Sequence, residues 1–389
     1  MTERLTDEGI AGFAEVAASH VGVDKIPGLV ALIACGDDVH VEARGALTID
    51  GPSVQRDSLY RIASTTKPVT GAAALALVEE GLFSLDEPVD RLLPELAERR
   101  VLRHMDGPLN DMVPADRPIT ARDLLTFTFG FGMTAAMFGS PGPWPVVAAA
   151  TELPLSTLGP PSPADQPDPD QWMEAFASLP LLAQPGERWF YNTGASVLGV
   201  LLARAAGSSL ADVLRTRIFE PLGMRDTGFW ASDHRRLATA YRSTPVGLQV
   251  WDEPAGQWSR PPAFGDGAAG LISTADDLLA FARMLLRGGV PVLSADSVKE
   301  MTRDQLTPEQ RERDGKGFLD GRSWAFCQSV VTEGPHAGAY GWDGGLGSSW
   351  LVDPAHDLVV TVLTQRLFDS PTPPAVHSDL QAAAYSALS

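Results

Sequence analysis

Residues 61–70 read RIASTTKPVT, and an apolar run, AAALALV, follows at 72–78. Within this stretch Ser64 and Lys67 stand three positions apart, so on the first turn of a helix their side chains share one face. A serine hydroxyl is a poor nucleophile until a base takes its proton. A lysine can be that base only when its pKa, ordinarily about 10.4, is drawn toward neutrality by burial or nearby positive charge. The apolar flanks supply such a setting. Pro68 fits a first helical turn, where its missing N–H would have had no partner, and that turn aims backbone N–H groups at a reaction centre. Four of the 30 basic residues are lysines (25, 67, 299 and 316), which leaves 26 arginines. An arginine could not act here, because it does not deprotonate. The spacing alone also arises by chance, so it nominates the pair without identifying it.

Around this stretch the chain reads as an ordinary water-soluble protein of 389 residues, 44% hydrophobic and 20% charged, long enough for two or three folding units. The net charge of −19 disfavours phosphate backbones, so no nucleic-acid partner is expected. The first 20 residues form an acidic amphipathic pattern without a basic or apolar leader segment. No run approaches the 18 apolar residues of a membrane span. The expectation is a cytoplasmic protein with no membrane partner; the oligomeric state is not readable.

The runs 27–35 and 38–47 alternate as strands around Gly36 and Asp37, a hairpin pattern. A helix is expected over 65–80, with Gly81 as its stop, and another from 119, with Thr120 as N-cap. The segment 195–219 reads as two helices broken at Gly207. The segment 272–289 reads as a helix with a Ser273–Asp276 capping box and Gly288–Gly289 at its end. SWAFCQSVVT, SSWLVDP and DLVVTVLTQ read as strands, and the C-terminus as a helix. Strands thus gather at both ends. The economical architecture is one α/β unit from 1–70 and 270–389, with a mainly helical 71–269 between them and a cleft where the two meet. Residues 138–170, rich in Pro, Gly and Ser, read as a lid or binding loop.

Other motifs carry less. GDGAAG (265–270) matches a dinucleotide fingerprint, but SRPPAF precedes it where a strand is required, so it reads as a Gly-rich bend at the cleft edge. The seven histidines are scattered and no paired-cysteine motif occurs, so neither metal nor cofactor is expected. Cys35 and Cys327 lie in apolar runs and read as buried thiols.

Six collinear blocks resemble the serine β-lactamase and penicillin-binding-protein superfamily, and within it the class C β-lactamase-like carboxylesterases (family VIII type). They are LYRIASTTKPVTGAAALALVEEGLFSLDEPV (59–89), ITARDLLTFTFGFG (119–132), YNTGASVLGVLLARAAG (191–207), IFEPLGMRDTGF (218–229), GAAGLISTADDLLAFARMLLRGG (267–289) and YGWDGGLGSSWLVDP (340–354). The resemblance implies a single β-lactamase/DD-peptidase-like domain of the α/β (α+β) class: an antiparallel sheet flanked by helices, plus a mostly helical subdomain. It also implies acyl transfer, with Ser64 as nucleophile, Lys67 as base, Tyr191 as proton relay, and the N–H groups of Ser64 and Gly345 as oxyanion hole. The family's second motif is usually Tyr-x-Asn; here it is Tyr191-Asn192-Thr193. Its Lys-Thr-Gly is replaced by Trp342-Asp343-Gly344. Both departures move the expectation from lactams toward short-chain or hydrophobic esters, with Asn192, Thr193, Trp342, Asp343, Gly344 and Phe127 as substrate-binding candidates. Some of Phe127, Phe129, Phe131, Trp144, Trp172 and Trp189 are expected to line an apolar acyl or alcohol pocket, with core packing the default for each. The same implied fold also admits lactam, D-amino-peptide or amide hydrolysis and acyl transfer; a non-catalytic binder would not need Ser64, Lys67 and Tyr191.

Overall fold

The computed structural model describes residues 3–22, 25–137, 144–156 and 159–389. Its centre is a seven-stranded sheet built from the two ends of the chain. Strands β1 (Gly28–Cys35) and β2 (Asp38–Gly45) form the expected hairpin, with Cys35 opposite Asp38 and Gly36 turning at a φ of 57°. The other five are β3 (Arg322–Trp324), β4 (Ser329–Val331), β5 (Tyr340–Gly344), β6 (Ser348–Asp353) and β7 (Leu358–Thr364), in the order β2-β1-β7-β6-β5-β4-β3, every pair antiparallel. The first strand therefore pairs with the last, Leu29 opposite Thr364.

The paired strands β1 and β7, GLVALIAC and LVVTVLT, are buried along their whole length, which is why they read as nearly continuous apolar runs rather than alternating ones. Alternate residues face opposite layers. Leu29, Ala31 and Ile33 pack with Phe13 and Leu380 from the terminal helices α1 (Asp7–His20) and α6 (Ala375–Ser386). Val30, Leu32 and Ala34 face the main core with α2 (Thr66–Glu79) and α5 (Ala275–Leu286). Helix α2 is buried from Thr66 to Leu77 on every side, so its sequence shows little helical amphipathicity.

The intervening segment supplies α3 (Ala121–Thr126), opened by a Thr120–Asp123 capping box, and α4 (Thr193–Ala206), closed by Gly207 at a φ of 62°. It also holds two-stranded ladders, Arg100–Leu102 with Met112–Pro114 and Ala240–Thr244 with Gly247–Asp252, which the sequence patterns do not reveal. Among the described residues no single helix is long and apolar enough to cross a membrane.

Three local expectations shift. The cap of α5 is Thr274, whose hydroxyl accepts from the Asp277 N–H at 3.2 Å. Ser273, one residue earlier, is taken up in a short strand pairing with Tyr60 and Arg61. SWAFCQSVVT is not one strand but β3 and β4 around a tight turn, where Cys327 adopts a φ of 57° while staying buried. Of the Pro-rich loop, 138–143 and 157–158 lie outside the described residues. The remainder includes a helix, Pro145–Thr151, and the capped start of another at Pro169.

Candidate active site

Ser64 sits in a single turn of 3₁₀ helix (Ala63–Thr65) that runs into α2. Ala63 enters it at a φ of 43°, a left-handed conformation that a residue with a Cβ rarely holds and that persists only where its surroundings enforce it. The surroundings are explicit. Ser348 Oγ donates to the Ile62 carbonyl at 2.6 Å and pairs with Thr65 Oγ1 at 2.9 Å, tying the turn to β6. A Cβ on Gly344 would lie 2.2 Å from the same Ile62 carbonyl, so β5 can approach only as glycine. That close approach is of strand to turn, not of backbone to substrate.

Lys67, one helical turn on, is fully buried. Its Nζ lies 2.8 Å from Ser64 Oγ and donates to the Ala268 carbonyl at 2.9 Å. Burial pulls its pKa down to about 7, against the opposing charge of Asp266. The Asp266 carboxylate accepts from Ser196 Oγ at 2.7 Å and from the Ala268 N–H at 2.9 Å, and its burial pushes its own pKa up. GDGAAG is thus a bend that carries two groups to Lys67: a carbonyl acceptor and a carboxylate. It packs tightly, since a Cβ on Gly267 would sit 2.7 Å from the Ala195 carbonyl of α4.

Tyr191 precedes α4 and closes the opposite side. Lys67 Nζ is 4.7 Å from its ring centre, and its hydroxyl accepts from Trp342 Nε1 at 2.7 Å. Burial raises the phenol to about 12, with hydrogen bonding to Ser64 and Trp342 opposing the shift, so it stays protonated at neutral pH.

These residues open into a cavity of about 600 Å³. Ser64, Tyr191, Asn192, Trp342, Asp343 and Gly345 line it. Among the described residues, neither the Ser64 nor the Gly345 N–H donates to another group of the chain. Phe127 and Thr193, by contrast, are fully buried and line no part of it. Phe127 packs behind Tyr191, with ring centres 6.2 Å apart, and against Trp324 at 4.8 Å. Phe129, Phe131, Trp172 and Trp189 are likewise core, and Trp144 is not on the wall. Apart from Leu346 in the 340–354 block, the walls come from segments that carry no sequence motif: Met133, Phe318, Leu367 and Phe368 supply apolar surface with Leu346, and Asp320 and Arg322 supply charge.

A model of the beta-lactamase family matches residues 13–384. The chain belongs to the beta-lactamase family. As a beta-lactamase-family chain with esterase relatives it is a serine hydrolase. It is 40% identical over 336 residues to protein Rv1367c of Mycobacterium tuberculosis, covering 82% of this chain and 80% of that one. It is 30% identical over 372 residues to esterase EstB of Burkholderia gladioli, covering 90% and 88%. Among solved structures, EstCE1, a hydrolase with promiscuous acyltransferase activity, superposes with a TM-score of 0.82 at 25% identity, covering 97% of this chain and 99% of that one. The beta-lactamase fold, with its antiparallel sheet and flanking helices, is the fold seen here.

Proposed function

We propose that the protein is a carboxylesterase acting on short-chain or hydrophobic esters through an acyl-enzyme on Ser64. The observation that carries this reading is the 2.8 Å contact between Ser64 Oγ and Lys67 Nζ, on a lysine drawn down to about 7. Near pH 7 a large share of Lys67 is a free amine. It donates one N–H to the Ala268 carbonyl and turns its lone pair to Ser64. Ser64 Oγ forms a bond to the ester carbonyl carbon as its proton passes to Lys67. The N–H groups of Ser64 and Gly345 stabilise the oxyanion. The C–O bond to the leaving alcohol then breaks, and the proton returns from Lys67 to that oxygen by way of the Tyr191 hydroxyl. Water repeats the sequence on the acyl-enzyme and frees the acid.

Ester over lactam is supported by the cavity's charge. Where lactamases of this family carry a lysine, the Trp342 indole N–H is engaged by Tyr191, and Asp343 beside it repels a substrate carboxylate. Transfer to an alcohol is a second outcome of the same acyl-enzyme. The apolar wall of Phe318, Leu346 and Phe368 favours it, as does the likeness to EstCE1.

Turnover of p-nitrophenyl butyrate should far exceed that of a chromogenic cephalosporin; the reverse preference would sink the esterase reading. Adding butanol and measuring butyl butyrate against butyrate separates transfer from hydrolysis. Ser64→Ala should cost at least about a thousandfold in kcat/KM and abolish labelling by a fluorophosphonate. Labelling that survives the change would mean another nucleophile.

A further inference from the structure

At the end of the sheet remote from Ser64, three side chains converge. One ligating atom each from His336, Asp353 and His356 lies within 4.8 Å of the other two. Asp353 ends β6, His356 sits in the β6–β7 turn, and His336 comes from the loop between β4 and β5. The sequence hid the grouping, because the two histidines are 20 residues apart and the Asp-x-x-His pair is not a diagnostic spacing.

We propose that this cluster binds a divalent first-row cation of the zinc class, at a site separate from catalysis. Three arguments carry it. The first is donor chemistry: two imidazoles and one carboxylate suit a borderline cation better than calcium or magnesium, which prefer all-oxygen shells. The second is geometry. Three atoms no more than 4.8 Å apart all lie within about 2.8 Å of a common point (4.8 Å divided by √3). Contraction by under about 1 Å brings them to zinc distances of about 2.0–2.1 Å.

The third is preparation of the donors. Asp353 is 99% buried on its side chain, where a carboxylate needs partners, and its oxygens are aimed by the Ala355 N–H at 2.9 Å and the Tyr385 O–H at 2.9 Å. The His336 ring stacks on Tyr385 with centres 3.6 Å apart. That stacking holds His336 Nδ1 3.8 Å from Asp353 Oδ2, too far for a hydrogen bond, and Nδ1 is buried with no partner among the described residues. A cation between these two atoms satisfies both. Glu3, whose carboxylate meets His356 Nδ1 at 2.8 Å, holds that ring in place. The Cys35 thiol, which donates to the carbonyls of Glu3 and His356, keeps those two segments together.

The bound ion would join the β4–β5 loop to the end of β6 and the turn that follows it. Ser348, which touches the nucleophile turn, is at the other end of β6 from Asp353. That is about 17 Å at the rise of an extended strand, so ester turnover should not change on binding.

The test uses the full chain without an affinity tag, stripped with chelator, beside His336→Gln/His356→Gln. With Zn²⁺ at a hundredfold excess over Kd, the parent should rise in Tm by about 3 °C. It should also retain one equivalent more zinc on dialysis than the double variant. Co²⁺ should give visible d–d absorption in the parent that the variant lacks. Equal zinc retention, equal Tm and equal Co²⁺ spectra in the two proteins would overturn the proposal. If the double variant fails to fold by circular dichroism, His336→Gln alone, on the more exposed side of the cluster, carries the same comparison.

Discussion

A lysine kept neutral in a protein interior leaves two signatures, one in activity and one in stability. In activity, the base form must be present, so kcat/KM for an ester should fall about tenfold per pH unit below a midpoint near 7, where Lys67 gains its proton. Asp266 favours the protonated lysine, and Asp266→Asn keeps an acceptor for Ser196 and the Ala268 N–H. That change should move the acidic limb of the profile to lower pH; an unmoved limb would mean that Asp266 carries no charge in the resting enzyme. In stability, the folded pKa of Lys67 lies below that of the unfolded chain. The folded state therefore binds fewer protons, and stability is lost as pH falls from about 10.5 to about 7, the loss being complete below 7. Its size is at most about 5 kcal/mol. Lys67→Met should accordingly destroy turnover yet raise the urea midpoint at pH 7, and a lowered midpoint would show the lysine to be a net stabiliser.

The strands and turns around the nucleophile account for what could and could not be read in advance. The Ser64–Lys67 pair was visible because both roles sit on one helical turn, where spacing in sequence is spacing in space. Tyr191, Trp342, Asp343 and Gly345 were visible only through their motif blocks. Asp266 was missed because its role depends on which carbonyl and which carboxylate a bend brings beside Lys67, and composition shows only that a bend exists. The aromatic wall could not be told from core for a related reason. A Phe such as Phe127, buried behind the catalytic tyrosine, has the same sequence character as Phe318 on the cavity surface. Gly344 is the sharpest case, since its lack of a Cβ serves the contact between β5 and the Ile62 carbonyl. Gly344→Ala should push the Ser64 turn off β5 and lower kcat/KM about a hundredfold, the scale of loss expected from a displacement near 1 Å. Unchanged kinetics would show that the strand can yield without moving Ser64.

Across the protein, the nucleophile turn is anchored to a distant segment by a buried ion pair. Arg61 binds Asp252 through Nε at 2.9 Å and the Ala238 carbonyl through Nη1 at 2.6 Å, and both side chains are almost wholly enclosed. Arg61→Met leaves Asp252 buried without its cation and should cost about 3–5 kcal/mol in urea unfolding. The double change Arg61→Met/Asp252→Leu should recover much of that; if it does not, the loss lies in packing against Trp258, over which Arg61 sits at 5.2 Å. The overall sheet was foreseeable because β1 and β7 are nearly continuous apolar runs, whereas the two small ladders, short and half exposed, have no such pattern. The pairing of β1 with β7 has a consequence in time. A ribosome adding about 5–20 residues per second needs roughly 20–70 s to go from Leu29 to Thr364. Throughout that interval one edge of a wholly apolar strand has no partner in the chain, so the nascent protein is exposed to aggregation longest at the very strand that later lies deepest.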